Sequence, residues 1–198
     1  MENLSREPTA KGTAFLGAFK FIKTQPRWLA LLEKVLAQLA PESALALKRK
    51  IIAVADYPYA LYVDLIRTAD KVIGSGDLSV CRQIGFFSAK RDYESIYNLY
   101  KQNPRPEDLF RDSNVIWRSY YQNAGELKAA DTSFDHLVMQ ILNFPAMDLA
   151  HCALMGGWMV QALIESGGLW TQEIREVKCT SRGDAHHEFM GRWKRAGT

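Results

Sequence analysis

The 198-residue chain is 47% hydrophobic and 24% charged, the proportions of an ordinary globular protein and not of a disordered or fibrous one. Its length allows one domain with a sizeable core. The formal net charge of +3 is spread over alternating Lys/Arg and Asp/Glu, which speaks against the basic stripe of a nucleic-acid binder; the run Lys48-Arg49-Lys50 reads as a solvated helix face.

No stretch approaches the roughly eighteen apolar residues of a membrane span, and the polar start Met1-Glu2-Asn3-Leu4-Ser5 lacks the apolar segment of a secretory signal. Three cysteines, an odd number and widely spaced, make no disulfide framework. A cytoplasmic protein with reduced thiols is expected.

Residues 1–11 are expected to form a disordered leader, followed by a single domain over 12–198. The apolar opening from Gly12, with Phe15, Leu16, Phe19, Phe21 and Ile22, suits helix or strand equally. Pro26 fits a helix start, with Trp28, Leu32, Val35, Leu36 and Leu39 at helical spacing. A second helix runs from Pro41 to Ile52. A third starts at Asp56-Tyr57-Pro58 and stops at Ile73, before Gly74-Ser75-Gly76.

Asp77 is placed to cap a fourth helix reaching about Lys90, and Tyr93 to Tyr100 reads as a short fifth. After Asn103-Pro104-Arg105-Pro106 a sixth carries Leu109, Phe110, Ile116, Trp117 and Tyr120. The pattern changes at Asn123-Ala124-Gly125. Glu126 to Ala130 and His136 to Phe144 read as a strand pair around Asp131-Thr132-Ser133. Pro145 opens a helix over Ala146 to Glu165, ended by Gly167-Gly168, and Trp170 to Cys179 with His187 to Trp193 makes a last hairpin. Helices first, then strand-strand-helix-strand-strand, give an α+β fold: a helical N-terminal half packed on an antiparallel sheet.

Residues that suggest chemistry concentrate in that hairpin. Between Glu176 and His187 the chain carries a carboxylate, a thiol and two imidazoles across the turn Arg182-Gly183-Asp184, and paired strands bring such side chains within a few ångströms. Cys152 supplies a fourth candidate from the preceding helix. Together Cys152, Glu176, Cys179 and His187 form a donor set suited to a structural zinc ion. The plainer alternative is one or two buried cysteines beside a surface Glu and His. Strand alternation would put Glu176 and Cys179 on opposite faces unless a bulge intervenes. His136, His151 and His186 read as ordinary residues, and Cys81 as core.

Cys152 followed by Gly156-Gly157-Trp158, then Glu176, Cys179, Gly183-Asp184 and the position of His187, resembles the 4-vinyl reductase family of small-molecule-binding domains. That family includes the sensor domains of phenol- and xylene-responsive transcription activators. Upstream, Gly85-Phe86-Phe87-Ser88-Ala89-Lys90-Arg91-Asp92-Tyr93, Ile96-Tyr97 and Trp117-Arg118-Ser119-Tyr120-Tyr121 are similar to a group of stand-alone bacterial members. The resemblance implies a ligand-binding-domain fold shared with haem NO-binding domains and with TRAPP trafficking subunits. It also implies a homodimer, and zinc held at positions 152, 176, 179 and 187. The departure is His187, where the family usually has Cys; imidazole is itself a good zinc donor.

Aromatic residues gather in the helical half. Trp117, Tyr121, Tyr120, Phe110, Phe87 and Tyr97 are candidates to line an apolar pocket with a few hydroxyl or indole donors, suited to a small aromatic or lipophilic ligand; the alternative is that they are core. No phosphate loop, nucleophile elbow or carboxylate pair is present. A zinc with four protein ligands leaves no position for water, so no enzyme is expected. The expected function is a small-molecule-binding sensor or regulatory module acting through an unidentified signalling partner. A ligand-free interaction scaffold is the alternative, and an enzyme acting on a tetrapyrrole or small aromatic a third.

Overall fold

The computed structural model describes residues 7–102, 106–133, 136–166 and 170–194. Ordered structure starts earlier than the composition of the leader suggests. β1 (Thr9–Lys11) buries Ala10 fully and runs straight into α1 (Gly12–Thr24), so the expectation of disorder over residues 1–11 is corrected for this strand. α1 buries Phe15, Ala18 and Ile22 completely, a spacing of three and four that resolves the ambiguous segment as helix. Its first amides, orphaned by helix geometry, donate to the carbonyls of Ala55 and Ala53 (2.9 and 3.0 Å). Those carbonyls come from a loop. This is why the second expected helix, α3 (Pro41–Leu47), ends well before Ile52.

α2 (Trp28–Gln38) starts just after Pro26, from a left-handed Arg27. β2 (Asp56–Pro58) occupies the residues expected to open the third helix, because Asp56 is drawn to Lys11 across the strand pair (2.8 Å); α4 (Tyr59–Ile73) follows. α5 (Ser79–Glu94) takes its cap from another element. The Asp70 carboxylate accepts the amides of Leu78 (2.9 Å) and Val80 (2.8 Å), while Asp77 accepts only that of Ser79 (3.0 Å). α6 (Asn98–Gln102), α7 (Pro106–Arg111) and α8 (Ser113–Tyr120) complete the helical half. The expected sixth helix is split at Asp112, whose carboxylate is held by the Tyr100 hydroxyl (2.7 Å) and by Arg111 (3.2 Å). Tyr121 is extended and starts β3 (Tyr121–Gln122), which pairs with β1 in a small antiparallel sheet of order β2-β1-β3.

The larger sheet has the order β4-β5-β7-β6, every pair antiparallel, from β4 (Glu126–Thr132), β5 (His136–Leu142), β6 (Trp170–Lys178) and β7 (His187–Lys194). β5 alternates cleanly, with Leu137, Met139 and Ile141 buried, as expected for a sheet covered on one face. α9 (Leu149–Glu165) begins at Asp148, not Ala146, because Asp148 caps it by accepting the Ala150 amide (2.8 Å). The expected stop at Gly167-Gly168 lies outside the described residues. Fold class and sheet placement therefore agree with the α+β expectation. Among the described residues no helix is long and apolar enough to cross a membrane.

α9 is buried on nearly every face, packed between the sheet and α5. Its approach to α5 is set by glycine on both sides. A Cβ on Gly85 would overlap the Leu154 carbonyl oxygen, and one on Gly157 would overlap the Arg82 carbonyl oxygen. Gly157→Ala should therefore force the helix backbones apart and cost about 1–3 kcal/mol, about 2–4 °C in Tm per kcal/mol at this chain length. Gly156→Ala should be neutral or mildly stabilising, because its Cβ meets only the flexible end of Arg82 and alanine is the better helix former. Paired thermal melts check the contrast; equal losses in the two variants would contradict the backbone-contact argument.

Candidate functional site

Cys152, Glu176, Cys179 and His187 converge. One donor atom from each lies within 4.8 Å of every other. Cys152 sits in the first turn of α9, positioned by the Asp148 cap and an amide bond to the Asp148 carbonyl (2.9 Å). Glu176 ends the regular part of β6, where the register with β7 shifts between Glu176 and Lys178. That bulge removes the parity problem and brings Glu176 and Cys179 to one side. Cys179 then leads into a single turn of 3-10 helix, Thr180–Arg182, closed by Gly183 at φ 94°. Asp184 fixes this turn by accepting the Cys179 amide (2.8 Å). His187 enters β7 fully buried, with Nε2 2.8 Å from the Thr180 hydroxyl, which aims Nδ1 at the other donors.

Three of the six spacings are close to the edges of a zinc tetrahedron, and all six lie within 4.8 Å. Zn–S bonds of about 2.3 Å and Zn–N or Zn–O bonds of about 2.0–2.1 Å require edges of about 3.8 Å for S–S, 3.5 Å for S–N and 3.3 Å for N–O. Cys152 Sγ to Cys179 Sγ is 3.9 Å, Cys152 Sγ to His187 Nδ1 is 3.4 Å, and His187 Nδ1 to Glu176 Oε1 is 3.1 Å. Around this core, Thr180 orients the imidazole and Arg182 stands 3.4 Å from Glu176, the supporting contacts that metal ligands usually have. Burial, and then the Glu176 charge, push the Cys152 thiol well above its ordinary range. For Glu176, burial acts upward but is outweighed by hydrogen bonding with His187 and Cys152 and by the Arg182 charge, leaving its carboxyl low. His186 stays out of the cluster, 3.3 Å from Glu188, and His136 lies 3.2 Å from Asp131.

The aromatic candidates divide. Trp117, Tyr120 and Tyr121 line a cavity of about 40 Å³ enclosed by α1, α5, α8 and α9. Phe110 instead borders a neighbouring space of about 20 Å³, behind Ile116, Leu127 and Trp158. Phe87 does not reach either cavity and packs edge-on to Phe21 at 5.8 Å. Tyr97 also lies outside both; its hydroxyl meets Ser119 (3.2 Å) and its ring abuts Trp158.

Sequence reasoning missed Asp92 and Ser88, which line the main cavity; their spacing of four on one helix face was the available signal. His151, read as an ordinary residue, lies within the aromatic core. This residue is fully buried, stacked on Trp117 (5.7 Å, 13°) and 4.6 Å from the Tyr121 ring centroid. The Tyr59 hydroxyl accepts the Asp148 amide (3.2 Å) and lies 2.9 Å from His151 Nδ1. The other ring nitrogen, Nε2, has no hydrogen-bond partner.

Comparison with solved structures places this architecture. An H-NOX protein from K. algicida, in the unliganded Fe(II) state, is similar with a TM-score of 0.69 over 95% of this chain and 98% of that one, at 11% identity. An H-NOX protein from S. oneidensis in the Fe(II)NO state gives 0.69 over 93% and 99%, at 13% identity. The fold is that of the H-NOX domains. An oxygen-binding H-NOX domain related to soluble guanylate cyclases is also similar, with a TM-score of 0.58 over 94% and 95%, at 14% identity. No protein-family description matches the sequence, and no curated protein does.

The iron-bearing H-NOX structures raise the question of haem, and the residues present do not fit one. His151 is the only fully buried imidazole outside the four-donor cluster among the described residues, and Trp117, Tyr121, Tyr62 and Phe144 occupy the space around it. The adjoining cavity of about 40 Å³ is far below the several hundred cubic ångströms typical of cofactor pockets.

Burial, reinforced by the nearby His187, lowers the His151 pKa from 6.5 to about 3. The unfolded chain therefore binds an extra proton between those values, and stability should fall as pH drops through that window, by up to about 1.4 kcal/mol per pH unit. Denaturant titrations of chelator-treated protein from pH 7 to 4 measure this. In His151→Phe the fall should be shallower; an unchanged slope would assign the acid sensitivity to other groups.

Proposed function

We propose that this chain is a small-molecule-binding sensor or regulatory module, one ligand-binding domain of the 4-vinyl reductase type, whose terminal hairpin is locked by a structural zinc ion. The observation that carries the zinc reading is the convergence of four donors within 4.8 Å, with three of their spacings close to the edges of a zinc tetrahedron. Cys152, Glu176, Cys179 and His187 would hold the ion. Four protein donors leave no site for substrate or water, so the metal ties α9 to the hairpin and takes no part in catalysis.

The sensor reading is supported by the motif resemblance and by a cavity walled by Trp117, Tyr120 and Tyr121, suited to a small apolar or aromatic group. Signalling would pass through a homodimer or an unidentified partner, in the cytoplasm, where both thiols stay reduced. Exposed Leu99 and Val115 (68% and 73% accessible) offer apolar surface for such contacts. The same side chains support a second reading, a ligand-free interaction scaffold.

Native mass spectrometry of freshly purified protein tests these readings together. The expected result is a dimer with one zinc per chain and a copurified small molecule; a metal-free protein at this stage overturns the zinc site, and a zinc-loaded one that binds no small molecule favours the scaffold. Cys179→Ser should lose the metal, whereas His187→Cys should keep it. At free zinc about a thousandfold above Kd the ion contributes about 4 kcal/mol, so chelation should lower Tm by about 8–16 °C. Affinity should weaken as pH falls, because both thiols and the imidazole must lose protons to bind.

A further inference from the structure

The main cavity is chemically one-sided. Its deep wall is apolar and closed, with Trp117, Leu127 and Leu154 each at most 3% exposed. Its polar groups, among them Asp92, Ser88 and Tyr120, are partly exposed and mark the mouth. Its side-chain polar groups are oxygens apart from the indoles of Trp117, whose N–H is taken by the Ala124 carbonyl, and Trp158, and no basic side chain lines the space.

Asp92 accepts one long hydrogen bond, from Trp158 Nε1 to Oδ2 at 3.3 Å. The Tyr120 hydroxyl is the other protein donor close enough to interact with this carboxylate. Lys20 and Arg91 are the nearby cations, yet neither forms an ion pair with it; Arg91 lies over the Phe87 ring instead. The Tyr120 hydroxyl is buried beside Asp92 and Tyr97, near enough to interact with both but in strict hydrogen-bond geometry with neither. Polar groups left so poorly satisfied near a cavity mark a place for a donor from outside the protein.

The missing partner must donate several hydrogen bonds, tolerate a carboxylate and sit among aromatic faces. An ammonium group has three N–H donors, pairs with a carboxylate and is attracted to the π-faces of Trp and Tyr. A carboxylate or phosphate would be repelled by Asp92. The cavity is small, about 40 Å³, so a short apolar end suits it best.

We propose that the sensed ligand is a small amine, its ammonium head at the mouth against Asp92, Ser88 and Tyr120 and its short apolar end inward against Trp117 and Leu154. This rests on the ligand-binding reading above and narrows it from any small lipophile to a cation.

Trp117 and Trp158 make the cavity self-reporting. Tryptophan fluorescence of the zinc-loaded protein, titrated with n-propylamine and benzylamine and with their neutral counterparts n-propanol and benzyl alcohol, tests the proposal. n-Propylamine should bind at least about tenfold more tightly than n-propanol, the preference expected when a charge-assisted hydrogen bond is available. Asp92→Asn should abolish that preference while its melting temperature without ligand stays near that of the parent chain. If the variant fails to fold, the comparison of amine with alcohol in the parent chain still decides. Equal binding of amines and alcohols would overturn the cation preference and leave the ligand-binding reading standing. Binding of none of the four would overturn both.

Discussion

The close crossing of α5 and α9 is the constraint on which the rest of the molecule depends. At Gly85 and Gly157 the helices touch through backbone atoms, with no side chain between them. Contact of that kind has no rotamer to adjust, so it fixes the separation and register of two helices more rigidly than interdigitated side chains do. Each helix then carries one half of something else. α5 presents Ser88 and Asp92 beyond the crossing. α9 presents Cys152 before it, and Leu154 and Trp158 beside and beyond it. The geometry of the four-donor cluster and the cavity wall are thus set by the same two glycines.

α9 is held at its start by charge as well as by packing. Asp148 caps the helix and takes two hydrogen bonds from Arg67 on α4 (2.7 and 2.9 Å), a bidentate pairing with a defined angle. One turn of chain later, His151 reaches the aromatic wall of the cavity while Cys152 faces the hairpin. The strands of the hairpin bury Ile174 and Phe189, but its turn has little to hold it by apolar contact. Residues 181 to 185 are all exposed, and nothing lies within 4 Å of a Cβ built on Gly183. A cross-link between residues 152 and 187 closes a long loop of chain, which is where such a link removes much conformational entropy from the unfolded state. The proposed metal ligation would supply what side-chain burial does not.

How much of this was legible in the sequence differs by kind of interaction. Helical periodicity and strand alternation gave the fold class, since they report burial along a single element. The donor set was legible because thiols, imidazole and carboxylate are few and their spacing across a turn is informative. The misplaced boundaries have long-range causes. Asp70 caps α5 from a different helix, Lys11 recruits Asp56 into a strand, and the loop carbonyls of Ala53 and Ala55 are drawn to the start of α1. None of these partners is near in the chain. The same holds for the cavity: Trp117 and Tyr121 were found as aromatics, but Asp92 looks like any polar helix residue until α8 and α9 close over it.

The fold shared with H-NOX domains leaves the ligand undetermined, because a fold supplies a frame and the site supplies the chemistry. Here the frame is filled from within. His151, Trp117, Tyr121, Tyr62 and Phe144 form one contiguous aromatic cluster with ring centroids 4.6 to 6.5 Å apart, the range of favourable edge and offset packing. What remains open is the narrow space between that cluster and Asp92. An apolar wall alone would accept any lipophile small enough to enter, since dispersion is indifferent to identity. A carboxylate at the mouth with no cation of its own changes that, because any occupant lacking a donor shields Asp92 from water without replacing the hydrogen bonds it loses. On the proposed reading, selectivity at this site would come less from the aromatic residues that form most of its surface than from the single charge at its edge.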